Sequence, residues 1–451
     1  MLFNPAAERM PLPRLRALQN ERLRAQVAYA HARVPFYRQR LTDAGLTPAG
    51  FRGLEDLPRL GFTQKSDFRD TYPFGLFAVP EAEVARLHCS SGTTGKATVV
   101  GYTAADLEVF AELVARSLAA AGCRPGMKLQ NAYGYGLFTG GLGIHYGAEK
   151  LGLTVIPVSG GSTDRQLQLL QDFRPKILCA TPSYAQVLAE EIGRRGIDLG
   201  ALNLQFAVLG AEPWTEAIRQ QVQAGLRVAA TNIYGLSEIM GPGVSQEDVD
   251  ERGTGSYVWE DHFYPEIVDR LTGEPLPYGE PGVLVLSTLT KQALPILRYW
   301  TGDITHLTYE HSGKRTHVKM GPIQGRADDL LIIRGVNFFP TQIEDLLQHA
   351  EHLSPYYQVV ATRRGRLDEV AVHVEVAAAL WQALSLGPQR RCGTLARGTG
   401  ARAGRAGKKN QGQHRPPHGR APGGPRPAAA QRGRQAQPGA GPAPPGPQIL
   451  P

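Results

Sequence analysis

The sequence predicts an α/β fold built on parallel sheets with crossover helices, followed by a segment unable to fold. Three observations carry that reading. Between residues 153 and 225, β-branched runs alternate with helix-periodic ones: "LTVIPVSG" then "TDRQLQLLQDF", "KILCATP" then "SYAQVLAEEIG", "LQFAVLG" then "PWTEAIRQQVQAG". Such alternation argues for parallel strands joined by helices. From about 252 to 320 the pattern is mostly β, with turns such as "TGEP" and "YGEPG". After Val376 the composition changes abruptly.

With 451 residues, 42% of them hydrophobic, the chain has room for one large domain and a smaller one. It opens with a predicted helix over 14–33, starting after Pro13, with Leu23, Val27 and Ala30 on one stripe and Glu21 and Arg24 opposite. A second helix, "TAADLEVFAELVARSLAAAG" (103–122), is strongly periodic and stops at Gly122. The N-terminus lacks the continuous apolar run of a signal peptide. No stretch approaches ~18 consecutive apolar residues, so no membrane span is expected. The four cysteines, Cys89, Cys123, Cys179 and Cys392, form no close pair. Neither a disulfide framework nor a metal site follows, and a reducing, cytoplasmic setting is expected.

The net charge of +8 is unevenly placed. Residues 377–451 hold ten Arg, two Lys and no acidic residue, whereas the first 376 hold 37 basic and 41 acidic side chains. Arg, Gly, Ala and Pro supply 51 of those last 75 residues, with no Val, Phe or Tyr among them. Such a segment cannot bury enough apolar surface to offset its ordering entropy, so disorder is expected. A functional basic tail, a linker and a reading-frame change are its candidate origins. Arg, Gly, Ala and Pro are residues whose main codons begin with two G or C bases, and the switch falls just after an alternating strand pattern. Both points favour the frame change.

The chemistry begins at "HCSSGTTGKATVV" (88–100). A Walker A loop needs G-x-x-x-x-G-K-[ST]. Here Gly92 and Gly95 are too close, Ser stands at 90 and Ala97 follows Lys96, so an ordinary P-loop is excluded. What is left is a run of hydroxyls, glycines and one ammonium, suited to wrapping nucleotide phosphates. Downstream, "YGLSE" (234–238) groups a ring, a hydroxyl and a carboxylate able to take Mg²⁺. "RYWTGDIT" (298–305) offers Asp303, read as sitting in a tight turn, to accept ribose hydroxyls. "GRADDLLIIRGVNFFPTQIE" (325–344) leads from Gly, Arg and two Asp into a β-hairpin.

In this order and spacing the four motifs resemble the acyl-adenylate-forming superfamily. The longer blocks "SSGTTGKATVVGYT", "YGYGLFTGGLGIHYGAEKLG", "FAVLGAEPWTEAIR", "IYGLSEIMGPGV", "WEDHFYPEIVD" and "LIIRGVNFFPTQIE" closely resemble the phenylacetate–CoA ligase family, from about residue 10 to 376. The resemblance implies a large AMP-binding domain over 1–324, a partial small α+β domain over 325–376, and a tail over 377–451. It implies ATP, Mg²⁺ and coenzyme A acting on an aryl acid: the acid is adenylated with release of diphosphate, and the thiol of coenzyme A then displaces AMP. Partners are therefore small molecules. A homodimer is compatible with the family, and nucleic acid is set aside because the tail lacks interleaved aromatics.

By the same resemblance, Ser90, Ser91, Gly92, Thr93, Thr94, Gly95 and Lys96 would hold the leaving diphosphate. Glu238 would hold Mg²⁺, Tyr234 would stack on adenine, and Gly210, Ala211, Glu212 and Pro213 would close the nucleotide pocket. Asp303 and Arg326 would bind ribose and its neighbouring phosphate, with Asp328 as the hinge of the small domain. Tyr135, Gly136 and Phe138 would line the acid pocket, the glycines of "YGYGLFTGG" leaving it room. Four departures stand out. Ala97 replaces the usual Pro, Cys89 a small Ala, and Trp300 the Arg of a "YRTxD" turn. The fourth is the absence of a "GKAxR"-like segment whose lysine contacts the reacting carboxylate. Lys408 and Lys409 follow a Gly but align with nothing, so impaired adenylation is expected. A binding remnant that captures ATP and aryl acid without turnover is the alternative, and anionic-surface binding through the tail a weaker one.

Overall fold

The computed structural model describes residues 1–90 and 97–327, then the backbone of 331–333, 336–338, 353–364, 367–376 and 393–394 with positions 343 and 347. Ser91 to Lys96, Asp328, Lys408 and Lys409 lie outside the described residues.

Helices α1 (Pro5–Glu8), α2 (Leu12–Arg33) and α3 (Pro35–Asp43) open the chain. The α2 stripe Leu23, Val27 and Ala30 is fully buried, while Glu21 and Arg24 are exposed. The helix begins two residues before its predicted start, because Pro13 sits in the first turn, where its missing N–H costs nothing. Helix α4 (Lys65–Asp70) precedes the hairpin β1 (Arg86–Ser90) and β2 (Thr98–Tyr102), whose register sets Ser90 opposite Thr98. Helix α5 (Ala104–Ala120) is closed at its start by a reciprocal Thr103–Asp106 capping box.

A series of strands and helices then builds the main sheet. The strands are β3 (Lys128–Asn131), β4 (Thr154–Ile156), β5 (Ile177–Ala180), β6 (Phe206–Gly210) and β7 (Ala229–Leu236). Their connections are α6 (Thr139–Lys150), α7 (Thr163–Phe173), α8 (Pro182–Arg195) with the short α9 (Leu199–Leu202), and α10 (Glu216–Leu226). Strand order 4-3-5-6-7 is parallel throughout, as the alternating pattern predicts. Beyond β7 the sheet turns antiparallel through β8 (Gly241–Gln246), β9 (Ser256–Val258), β14 (Lys319–Met320) and β13 (Leu307–Thr308), nine strands among the described residues.

A second, antiparallel sheet runs β10 (Phe263–Val268), β11 (Gly282–Thr288), β12 (Tyr299–Thr305) and β15 (Gly325–Arg326). Asp303 lies inside β12, not in a free tight turn. The register against β11 slips between Val283 and Val285, and Gly302 takes φ +82°, so a bulge in the strand stands where a tight turn was expected. Beyond β15, the hairpin Leu331–Ile333 with Val336–Phe338 forms where "LIIRGVNFF" predicts one. Leu353–Arg364 pairs with Leu367–Val376, and Val374 there packs with Ile343 and Leu347. Among the described residues no helix is long and apolar enough to cross a membrane.

Candidate active site

Ligands of open α/β sheets collect at the carboxyl ends of the strands. Here the ends of β3, β6 and β7 deliver "YGYGLF", "GAEP" and "GLSE" to one place, at the point where the sheet changes from parallel to antiparallel. Two backbone approaches require glycine. A Cβ on Gly210 would stand 2.1 Å from the Ile233 carbonyl oxygen, and one on Gly235 would stand 1.8 Å from that of Gly241. Ala211 follows in a left-handed conformation, φ +74°, a strain of the kind concentrated at ligand sites.

Two cavities adjoin there. The larger, about 400 Å³, is walled by Ala211, Glu212, Pro213, Trp214, Asn232, Tyr234, Asp303 and Arg326. Its polar groups are tied together. Tyr234 donates its hydroxyl to Asp303 Oδ2 at 2.6 Å, and Arg326 donates to Asp303 Oδ1 at 3.2 Å. Asp303 and Arg326 are register partners on β12 and β15, so the ion pair is built into the sheet. Burial, and then the Asp303 charge, push the Tyr234 phenol well above its ordinary pKa, so it remains a neutral donor. Trp214 donates Nε1–H to Asn232 Oδ1 at 3.1 Å and carries Arg219 over its ring. Glu212 accepts the Ser183 N–H at 2.6 Å in the first turn of α8, where a negative charge suits the helix dipole.

The smaller cavity, about 210 Å³, shares Ala211, Ile233, Gly235, Leu236 and Arg326 with the first. Lys65, Ser90, Tyr133, Phe138, Thr139, Glu238 and Tyr299 are among the rest of its wall. The Ser90 hydroxyl is shut off from water and has no hydrogen-bond partner among the described residues, a group ready for a ligand. Glu238 is buried in the turn between β7 and β8, close enough for its charge to act on the Tyr299 phenol. Burial drives the Tyr299 and Tyr133 phenols far up, so both are neutral. Behind this turn the Lys291 ammonium is fully buried, and desolvation draws its pKa down to about 8 against the opposing pull of Asp106 and Glu238.

Of the residues singled out from the sequence, Ala211, Glu212, Pro213, Tyr234, Asp303 and Arg326 line the larger cavity. Ser90, Phe138, Glu238 and again Arg326 line the smaller. Tyr135 and Gly136 line neither; the Tyr135 hydroxyl takes a 2.8 Å bond from Asn131 and lies 3.1 Å from His145 Nδ1. The glycines of "TGG" make room for the chain itself: a Cβ on Gly140 would strike the Phe138 ring, and one on Gly141 the Gly134 carbonyl. Trp300 packs edge-on against Phe62 at 5.0 Å, partly buried on the margin of a small apolar cluster. Lys65, Tyr133, Trp214, Asn232 and Tyr299 were missed. Tyr133, Trp214 and Tyr299 stand inside quoted motifs and Asn232 directly before one, a signal within reach, while Lys65 comes from a segment no motif marks.

The described residues include no group of three or more His, Cys, Asp or Glu able to cage a metal. A single buried carboxylate is what Mg²⁺ uses when most of its other ligands are phosphate and water. Glu238 fits that donor set.

A family model described as AMP-binding enzyme matches residues 7–290, and one described as AMP-binding enzyme C-terminal domain matches 335–390. A phenylacetate-coenzyme A ligase of Thermus thermophilus is 66% identical over 378 residues, covering 84% of this chain and 85% of that protein. One from Escherichia coli is 52% identical over 379 residues, covering 84% and 85%. Among solved structures, a 2-hydroxyisobutyryl-CoA ligase in the postadenylation state, in complex with R3-HIB-AMP, superposes with a TM-score of 0.78. It is 27% identical and covers 84% of this chain and 82% of that one.

Proposed function

This chain belongs to the AMP-binding enzyme family and is an acyl-adenylating acid–CoA ligase, and we propose that its acid is phenylacetate or a close arylacetate. The observation that carries the reading is the pair of cavities meeting at Arg326. One holds the Tyr234–Asp303–Arg326 network, and the other combines a buried carboxylate with the Tyr133 and Phe138 rings. The names of the relatives support the same substrate.

In the first half-reaction the acid's carboxylate oxygen attacks the α-phosphorus of ATP. The bond to the β-phosphate breaks and diphosphate leaves. In the second, the coenzyme A sulfur attacks the acyl carbonyl, the bond to AMP breaks, and the thiol proton passes to water. Most of the catalytic work is positioning and charge stabilisation. Asp303 takes the ribose hydroxyls, a carboxylate having about four acceptor sites, and Tyr234 and Arg326 fix its plane. Trp214 and Asn232 face the base. Ser90 and the loop through Lys96 hold the leaving diphosphate, and Asp328 serves as the hinge between a large domain over 1–324 and a small one from 325. Glu238 holds Mg²⁺, which when bound neutralises charge on the leaving phosphates.

The proposal includes an impaired first half-reaction. After residue 390, where the C-terminal-domain match ends, the Arg-, Gly- and Pro-rich composition offers Lys408 and Lys409 in place of a "GKAxR" segment. Loss of one transition-state cation costs on the order of 10²–10³-fold. The test incubates the full chain with ATP, Mg²⁺, phenylacetate and coenzyme A and follows AMP and thioester. Slow formation of both, dependent on phenylacetate, is expected. Turnover equal to the Thermus relative would overturn the impairment, and a preference for acetate or a long-chain acid would overturn the substrate.

A further inference from the structure

The turn that presents Glu238 is held at three of its four residues. Thr139 Oγ1 lies 3.2 Å from Ser237 Oγ. Ile239 and Met240 are held by their carbonyls: Lys291 Nζ donates to Ile239 O at 2.9 Å, and the Tyr102 hydroxyl to Met240 O at 2.9 Å. Lys291 comes from the loop between β11 and β12, and its ammonium sits 4.5 Å from the centroid of the Tyr102 ring. The loop is itself pinned. Gln26 donates to the Lys291 carbonyl at 2.6 Å, and the Gln292 and Ala293 N–H groups donate to the two oxygens of Asp106 at 2.7 and 2.8 Å.

A buried ammonium is costly, and a methionine would fill the same space without that cost. Its one hydrogen bond runs to the carbonyl directly after Glu238, and the carboxylates of Asp106 and Glu238 lie in its field. We propose that Lys291 is a positioning residue for the metal-binding carboxylate: with Tyr102 it locks the 237–240 turn so that Glu238 stays aimed into the smaller cavity. The proposal rests on the reading of Glu238 as the Mg²⁺-binding group.

The test is equilibrium binding to the full chain without any acid, so it does not depend on turnover. Mn²⁺ in the presence of ATP is followed by the paramagnetic signal of free Mn²⁺, and ATP in EDTA is followed by titration calorimetry. Lys291→Met should weaken Mn²⁺ binding on the order of 10-fold, as outer-shell partners of metal ligands do, and leave metal-free ATP binding within about twofold. Lys291→Gln, which can still donate to Ile239 O, should fall between Lys291→Met and the parent. Tyr102→Phe removes one neutral hydrogen bond and should cost about threefold; it decides the matter if the Lys291 variants do not fold. Equal Mn²⁺ affinity across folded variants, or equal losses with and without metal, would overturn the proposal and leave Lys291 a purely structural residue. Should Glu238→Gln leave Mn²⁺ binding at the parent's value, the reading of Glu238 fails instead, and the inference falls with it.

Discussion

The two cavities that meet at Arg326 are built in opposite ways. In the larger one, polar side chains are already bonded to one another: Tyr234 and Arg326 to Asp303, Trp214 to Asn232, Glu212 to the start of α8. Three of the smaller cavity's wall groups are less engaged: the Ser90 hydroxyl, without a partner among the described residues, the buried Tyr133 ring and the half-exposed Phe138 ring. A nucleotide presents the same hydroxyls and ring to every enzyme that uses it, so fixed donors and acceptors serve it. An aryl acid offers one carboxylate and a flat apolar face, and aromatic rings serve that. The larger cavity holds its polar groups in a preformed network, while the smaller keeps the Ser90 hydroxyl outside any bond among the described residues.

That contrast can be broken by experiment. Glu238→Gln should lower phenylacetate-dependent exchange of labelled diphosphate into ATP by about 10²–10³-fold; a drop below tenfold would remove this carboxylate from the chemistry. Gly210→Ala drives a methyl into the Ile233 carbonyl, and thermal unfolding should show a loss of about 1–3 kcal/mol. An unchanged melting temperature would mean the β6–β7 approach is looser than its register. Tyr234→Phe deletes a hydrogen bond to a charged acceptor, worth about 1.5–3 kcal/mol, and should raise KM for ATP roughly tenfold or more with KM for phenylacetate unmoved. A parallel rise in both would merge the two cavities into one unit. Phe138→Ala should raise KM for phenylacetate about fivefold, the scale of one lost aromatic contact, and leave ATP alone. Tyr135→Phe, off both cavities, should change neither by as much as twofold; a larger effect on the acid would restore Tyr135 to the pocket.

The same contrast explains what could be read from the sequence. Parallel strands and crossover helices were legible because each buried strand is a short apolar run and each helix carries its own stripe. The residues proposed for the nucleotide were legible because Tyr234, Asp303 and Arg326 lie in compact motifs at strand ends and bulges, where backbone geometry forces particular residue types. Those proposed for the acid were less so. Lys65 reaches the smaller cavity from a segment that no motif marks, and Tyr299, though inside "RYWTGDIT", carries no local sign that it faces this cavity rather than the one Asp303 lines. Tyr133 and Tyr135 look equivalent in "YGYG", yet the turn after β3 sends one inward and gives the other to Asn131 and His145. Likewise, the glycines of "TGG" read as space for a ligand, whereas Phe138 and the Gly134 carbonyl already occupy it.

The most direct test is calorimetric binding of the stable adenylate analogue 5′-O-(N-phenylacetyl)sulfamoyl adenosine to the full chain. It fills both cavities at once and needs no catalytic lysine. One saturable site is predicted, competed by ATP and by phenylacetate, with Tyr234→Phe and Phe138→Ala each weakening it and their losses adding in the double variant. Absence of saturable binding, or binding that neither ATP nor phenylacetate displaces, would contradict the account.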